Sequence, residues 1–61
     1  MSIELFQRND RVTYPRDTKV FRVLRRHLGR DGVHYLYDVR DDANEVTFGA
    51  VSLNGCSKVV P

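Results

Sequence analysis

Hydrophobic residues recur at alternate positions in several short stretches of this chain, and clusters of polar turn residues separate the stretches. Alternation of this kind predicts a β-strand, because successive side chains of a strand point to opposite faces of a sheet. In the clearest stretch Tyr35, Tyr37 and Val39 line one face. The strands predicted on this pattern are Arg11–Tyr14, His34–Arg40, Glu45–Phe48 and Ser57–Val60.

The run from Lys19 to Leu28 is rich in β-branched and aromatic residues, but its alternation is imperfect. We favour a strand, because no capping box precedes the run and its neighbours have the pattern of strands. As a strand, the run places Phe21 and Val23 on one face. The competing interpretation is a helix, which would group Val20, Val23, Leu24 and His27 at spacings of three and four.

Turn residues separate the five predicted strands, and Asp31-Gly32 between the second and third is a strong hairpin signal. Five short strands with tight turns predict one all-β domain over residues 1–61, as a small barrel or sandwich. Residues 1–8 are predicted to be a lead-in segment whose apolar residues pack onto the domain. Those residues are Ile3, Leu5 and Phe6, and the other predicted turns are Asn9-Asp10, Pro15–Thr18, Asp41–Asn44 and Asn54-Gly55.

A chain of 61 residues buries only a small core, so a deep active-site cleft within one monomer is not expected. Cys56 is the single cysteine, which excludes an internal disulfide and fits a reducing compartment. The first residues lack the pattern of a secretory signal, and no apolar run is long enough to span a membrane. The sequence therefore predicts a cytoplasmic protein that does not enter a membrane.

Positive charge is concentrated in residues 8–30, which hold eight basic and two acidic residues, a net charge of +6. Residues 31–61 hold two basic and five acidic residues, a net charge of −3. A local basic field attracts polyanions, and the arginine fork matches the geometry of phosphate. The residues predicted to contact nucleic acid phosphates are Arg11, Arg22, Arg25, Arg26 and Arg30.

Strict alternation along the second strand would place Lys19, Arg25 and His27 on one side and Arg22 and Arg26 on the other. The alternative to a binding surface is a solvated exterior. In that case acidic residues on the neighbouring strand and turn partly neutralise the arginines. The acidic residues concerned are Asp38, Asp41 and Asp42.

Aromatic residues beside the arginines could stack nucleic acid bases, and Tyr14 and Tyr35 are the candidates for this role. Tyr14, next to Pro15, is the best candidate for an exposed ring. An aromatic cage for a methylated cation would use the same tyrosines. The alternative role is core packing, which we predict for Phe21, Phe48 and at least one of Tyr35 and Tyr37.

Signals for metal binding and catalysis are weak. His27 and His34 flank the hairpin turn and could face each other, but with Cys56 they lack the usual spacing of zinc ligands. Cys56 has no recognisable partner base and is predicted to be a small buried side chain. The acidic turn at 41–45 is predicted to be solvated. No catalytic residue, metal site or cofactor is predicted.

The order of elements over residues 9–60 resembles the SH3-like barrel, the small five-stranded fold of Tudor, KOW and chromo-barrel modules. Asn9-Asp10-Arg11-Val12 is similar to the "G-D-x-V" opening of such domains, and Tyr35–Val39 is similar to their "Y-x-V" third strand. Val46–Leu53 looks like a fourth strand that runs into a one-turn 3₁₀ helix. The resemblance implies a five-stranded SH3-like barrel. A small chain of this kind also suggests an accessory protein of a phage, plasmid or other mobile element.

The function predicted from the sequence is a small non-enzymatic binding module that engages nucleic acid phosphates through a basic strand. Such binding depends strongly on salt and weakly on base sequence. The alternative is a domain that binds a protein partner or a second copy of itself. An enzyme assembled across an oligomer interface is the third interpretation.

Overall fold

A computed structural model describes residues 6–59, and this part of the chain forms one sheet of five antiparallel strands. The strands are β1 (Arg11–Thr13), β2 (Phe21–Leu28), β3 (Tyr35–Asp41), β4 (Val46–Val51) and β5 (Ser57–Lys58). Their order across the sheet is β4-β3-β2-β1-β5. The prediction of an all-β domain with five strands is confirmed. Residues 6–59 contain no helix, and therefore none long and apolar enough to cross a membrane.

The hydrophobic core lies on one face of the sheet. Its centre is Val12, Val23 and Val39, one from each of three adjacent strands, and all three are almost fully buried. The connection between β4 and β5 adds two further core residues. The buried hydrophobic residues of the described chain are Phe6, Val12, Phe21, Val23, Tyr37, Val39, Leu53 and Cys56.

The segment before β1 is fixed against β2 by the backbone. The Asn9 amide donates to the Val23 carbonyl and the Val23 amide donates to the Asp10 carbonyl, both at 2.8 Å. Phe6 is buried in the core, which confirms the predicted packing for that residue. The other two apolar residues of the predicted lead-in, Ile3 and Leu5, lie outside the described residues.

β2 is a strand, as favoured from the sequence, and its irregular pattern has a structural cause. Val23 pairs with Val39 and Arg25 pairs with Asp38, so Leu24 is an extra residue with no partner on β3. Such an insertion is a β-bulge. It places two apolar residues in succession, which explains why the sequence also carried helix-like spacing.

β4 and β5 are the two edges of the sheet, and no ladder joins them within residues 6–59. The sheet is open, so closure into a barrel is not confirmed. The predicted 3₁₀ helix at the end of Val46–Leu53 is absent, since β4 continues to Val51 and residues 52–53 form no helix. The predicted turn at Asn54-Gly55 is confirmed as a β-turn, in which the Cys56 amide donates to the Leu53 carbonyl at 3.1 Å. Gly55 in this turn has a φ of +83°, whereas a 3₁₀ helix needs negative φ.

Candidate nucleic-acid interface

The Leu24 bulge determines which arginines share a face. Residues directly opposite each other on paired strands point to the same side of a sheet. Arg22 pairs with Arg40 and Arg25 pairs with Asp38, two residues apart along β3. Arg22 and Arg25 therefore both lie on the face opposite the core, which we call the outer face.

Arg26 lies on the other side of the sheet from Arg25, because its partner on β3 is the buried Tyr37. Strict alternation predicted that Arg22 and Arg26 would share one side and that Arg25 would lie on the other. That prediction is wrong. The extra residue Leu24 shifts the alternation by one position beyond the bulge.

The arginines of the outer face are largely paired with acidic residues. Asp42 accepts hydrogen bonds from Arg22 Nε and from Arg40 Nε, each at 2.9 Å. Arg25 Nε donates to Asp38 at 2.7 Å. The neutralisation that the alternative interpretation expected is observed for Asp38 and Asp42, so part of the charge on β2 is internally compensated.

Asp38 is held by groups from the strands on both sides of it. Besides Arg25 on β2, it accepts a hydrogen bond from the backbone amide of Ala50 on β4 at 3.0 Å, and His27 Nε2 lies 3.3 Å away. The Arg25 guanidinium and the Ala50 amide lower the pKa of the Asp38 carboxyl to about 2. Asp38 is therefore ionised at neutral pH.

Asp41 was predicted to be solvated as part of an acidic turn, and that prediction is wrong for this residue. Its side chain is buried and accepts hydrogen bonds from the side chain of Asn44 at 2.8 Å and from the Asn44 amide at 3.3 Å. Donation by Asn44 lowers the pKa of Asp41 below its ordinary value. Asp41 fixes the turn between β3 and β4 and makes no ion pair with any described residue.

Arg8 is brought next to β2 by a tight turn that spans Gln7 to Asp10. The Asp10 amide donates to the Gln7 carbonyl at 3.0 Å, and the Gln7 amide donates to the Asp10 carboxylate at 2.8 Å. Donation by Gln7 lowers the pKa of Asp10. Asn9 takes a φ of +74°, a left-handed conformation that asparagine tolerates better than most residues. Arg8 is exposed at this turn.

An open depression lies between this turn and the Leu24 bulge, and three arginine residues border it. We call it the arginine depression. Arg25 is paired with Asp38, whereas Arg8 and Arg26 make no ion pair within residues 6–59. The lining residues are Phe6, Gln7, Arg8, Leu24, Arg25 and Arg26.

The remaining predicted phosphate contacts lie elsewhere. Arg11 is exposed opposite Arg22, and Arg30 is exposed in the turn between β2 and β3. Neither Arg11, Arg22 nor Arg30 lines the arginine depression. Arg8 was not singled out from the sequence, although it belongs to the basic window. The turn that carries it past the bulge gave no signal beyond Asn9-Asp10.

Of the two tyrosines predicted to stack bases, Tyr35 is the exposed one. Its exposed fraction is 38%, and the Arg26 guanidinium lies over its ring, 4.8 Å from the centroid. Tyr14, predicted as the best exposed ring, is half-buried instead. Its hydroxyl donates to the Ser52 carbonyl at 2.7 Å, and its ring packs edge-on against Phe21. Burial raises the pKa of the Tyr14 hydroxyl.

Of the aromatic residues predicted to pack in the core, some are buried and one is exposed. Tyr37 and Phe21 are buried in the core, as predicted. Phe48 was predicted to be a core residue, but its side chain is 43% exposed. It lies on the edge strand β4 and packs edge-on against Phe21, with 6.0 Å between the ring centroids.

The histidines and the cysteine do not form a site together. His27 pairs in register with Leu36 and contacts Asp38, whereas His34 contacts Asp31 within the hairpin turn. The two histidines therefore do not face each other. Cys56 is buried as predicted, and burial raises the pKa of its thiol, which disfavours the thiolate. Within residues 6–59 no three potential metal ligands are grouped closely enough to hold an ion.

Comparison of the chain with family models, with curated proteins and with solved structures finds no match. The chemistry of the site therefore follows from its own side chains. Arginines from two segments border the arginine depression, and two of them, Arg8 and Arg26, make no ion pair within residues 6–59. Guanidinium groups bind phosphate through paired hydrogen bonds and retain their charge at every physiological pH.

Proposed function

We propose that this protein is a small non-enzymatic binding module that engages nucleic acid phosphates at the arginine depression. One observation carries the proposal: Arg8, Arg25 and Arg26 border one open depression, Arg25 and Arg26 from opposite sides of the sheet, and Arg8 and Arg26 have no ion pair within residues 6–59. A phosphate bound there would not have to displace a carboxylate of residues 6–59 from either of these two arginines. We place this activity in the cytoplasm, since a single free cysteine needs no oxidising compartment.

The fold that we propose for this module is an SH3-like barrel. Support comes from the order of the strands, in which β1 to β4 pair consecutively and β5 returns to pair with β1. Closure requires contact between the β4 and β5 edges. Nuclear Overhauser effects between backbone protons of these two strands would establish it, and their absence in a fully assigned spectrum would reject it.

The test of function is a titration of fluorescent single- and double-stranded DNA and RNA at about 50 mM and about 200 mM salt. We expect weak binding that salt reduces, because each phosphate contact releases condensed counterions. The double variant Arg8→Gln/Arg26→Gln should weaken binding about tenfold and lower the salt dependence, since two phosphate contacts are lost.

The matched control is Arg16→Gln/Lys19→Gln, which removes the same two charges from the exposed connection between β1 and β2. If the control weakens binding as much as the first pair does, total charge rather than the arginine depression is responsible. Absence of binding at low salt, where phosphate contacts are strongest, would reject the proposed function altogether.

The second candidate function is self-association through β4. This strand is an edge of the sheet, its six residues carry no charge, and Val46 and Phe48 are 42% and 43% exposed. Proteins usually protect an edge with charged residues or proline, because an unprotected edge pairs readily with another strand. The observation favours a dimer in which two copies of β4 pair.

A further inference from the structure

The hairpin of β2 and β3 extends an apolar and aromatic surface beside the arginine depression. Leu28 and Tyr35 are the last register pair of the hairpin, and they lie on the same side of the sheet as the pair Arg26 and Tyr37. Unlike Tyr37, they are not covered by the core, since Leu28 is 54% exposed and Tyr35 is 38% exposed. We call Arg26, Leu28 and Tyr35 the hairpin platform.

Arg26 belongs to both surfaces. It lines the arginine depression, and its guanidinium lies over the Tyr35 ring at 4.8 Å from the centroid. A polymer whose phosphate contacts the depression would therefore carry its next groups onto the platform. A planar guanidinium and an aromatic ring are both surfaces on which nucleic acid bases stack.

The base faces are accessible only in a single strand, because a duplex stacks them against one another. Resting on the proposed function, we propose that the site takes single-stranded nucleic acid, with phosphates at the arginine depression and an unpaired base on the hairpin platform. The juxtaposition of Arg8 with Tyr35, through Arg26, is the observation that carries this inference.

The same geometry disfavours a methylated cation as the ligand. A cation would be attracted by the face of an aromatic ring. Here the positive charge of Arg26 already lies over Tyr35, and Arg8 and Arg25 line the adjoining depression. A second cation at this place would be repelled, whereas a base linked to phosphates is complementary to it.

The test compares three ligands on the wild-type protein: an oligothymidylate of about 12 nucleotides, an abasic strand of the same length, and a duplex of the same length. The abasic strand keeps the phosphates and lacks the bases. We expect the oligothymidylate to bind about 5- to 150-fold more tightly than the abasic strand, the range for stacking of one base, and more tightly than the duplex.

A variant of Tyr35 tests whether the base stacks on the hairpin platform. Tyr35→Leu keeps an apolar side chain but removes the ring, so it should lower the affinity for oligothymidylate to that for the abasic strand. Phe48→Leu is the matched control, because it removes a similarly exposed ring from β4, and it should leave both affinities unchanged.

The outcomes separate this inference from the function on which it rests. If the abasic strand or the duplex binds as tightly as the oligothymidylate, and Arg8→Gln/Arg26→Gln weakens both, the phosphate site stands and base stacking is rejected. If no ligand binds at low salt, the proposed function fails and the inference fails with it. Loss of the base preference in Phe48→Leu would place stacking on β4 instead and reject the hairpin platform.

Discussion

At the scale of single residues, Asp38 links three strands of the sheet. Its carboxylate receives Arg25 from β2 and the Ala50 amide from β4. The register shifts on both sides of it, because Leu24 is an extra residue on β2 and β4 also carries one extra residue between Phe48 and Val51. The carboxylate therefore satisfies the Ala50 amide at the bulge on β4 and pairs with Arg25, the residue that follows the bulge on β2.

Asp38 should make the protein sensitive to acid. Its pKa in the folded state is about 2, below the ordinary value of 3.8, so its contribution to stability is complete above about pH 4. The contribution is lost as the pH falls from about 4 to about 2. Asp38→Asn should flatten this part of the acid dependence, measured as the urea midpoint by circular dichroism.

The acid dependence of Asp38→Asn should be reduced and not abolished, because the pKa values of Asp31 and Asp42 are lowered as well. The control is Glu45→Gln, since Glu45 is exposed and makes no ion pair within residues 6–59. An unchanged slope in Asp38→Asn would show that Asp38 does not support the folded state as the geometry indicates.

At the scale of elements, the hairpin of β2 and β3 depends on the close approach of its two ends. The Gly29 amide donates to the His34 carbonyl at 2.7 Å, and the Gly32 amide donates to the Gly29 carbonyl at 3.1 Å. A Cβ atom at Gly29 would lie 2.9 Å from the His34 carbonyl oxygen. That contact is with backbone, so the hairpin itself would have to move.

Gly29→Ala should therefore destabilise the fold by about 1–3 kcal/mol. Gly49→Ala is the matched control, because its Cβ would meet only the Asp38 carboxylate at an ordinary 3.6 Å. Urea unfolding of both variants measures the difference. Equal stabilities would show that the hairpin end adjusts without cost.

The positions of the strands could be predicted from the sequence more accurately than the face of the sheet on which each side chain lies. Alternation located four of the five strands, most clearly β3, where Tyr37 and Val39 face the core, and β2 was favoured by its composition and its neighbours. Alternation could not predict the side on which Arg25 and Arg26 lie, since the bulge at Leu24 is a tertiary adjustment to two neighbouring strands. Phe48 was misplaced because alternation indicates a face and does not reveal that its strand is an edge.

At the scale of the whole molecule, folding redistributes the charge asymmetry of the sequence. Acidic residues from the second half of the chain pair with Arg22 and Arg25 of the basic window. Lys58 from the second half pairs with Asp10. The +6 window of the sequence therefore overstates the field on the outer face, and the arginine depression was invisible because it needs Arg8 beside β2.

Because β4 is an exposed edge of the sheet, we expect the protein to form dimers through this strand. Pairing through this edge predicts a monomer–dimer equilibrium in sedimentation velocity as concentration rises. Thr47→Lys, on the outer face of β4 opposite Arg40, places a charge in the edge and should shift the equilibrium to the monomer.

The control for the edge is Ser57→Lys on β5, the short edge at the opposite side of the sheet, which should leave the dimer unchanged. A chain that remains monomeric at every concentration would reject the β4 dimer. If both lysine variants are monomeric, added charge rather than the β4 edge controls association.

The bulge at Leu24 also has a consequence for how this protein can change by insertion and deletion. In a regular strand, loss of one codon moves every later side chain to the opposite face of the sheet. Loss of the codon for Leu24 would only remove the unpaired residue, so Arg25 would stay opposite Asp38 and Arg26 opposite Tyr37. In evolutionary terms, the codon for Leu24 can be deleted or regained without moving Arg25 or Arg26 to the opposite face of the sheet. The surface that carries these arginines can therefore change by insertion and deletion as well as by substitution.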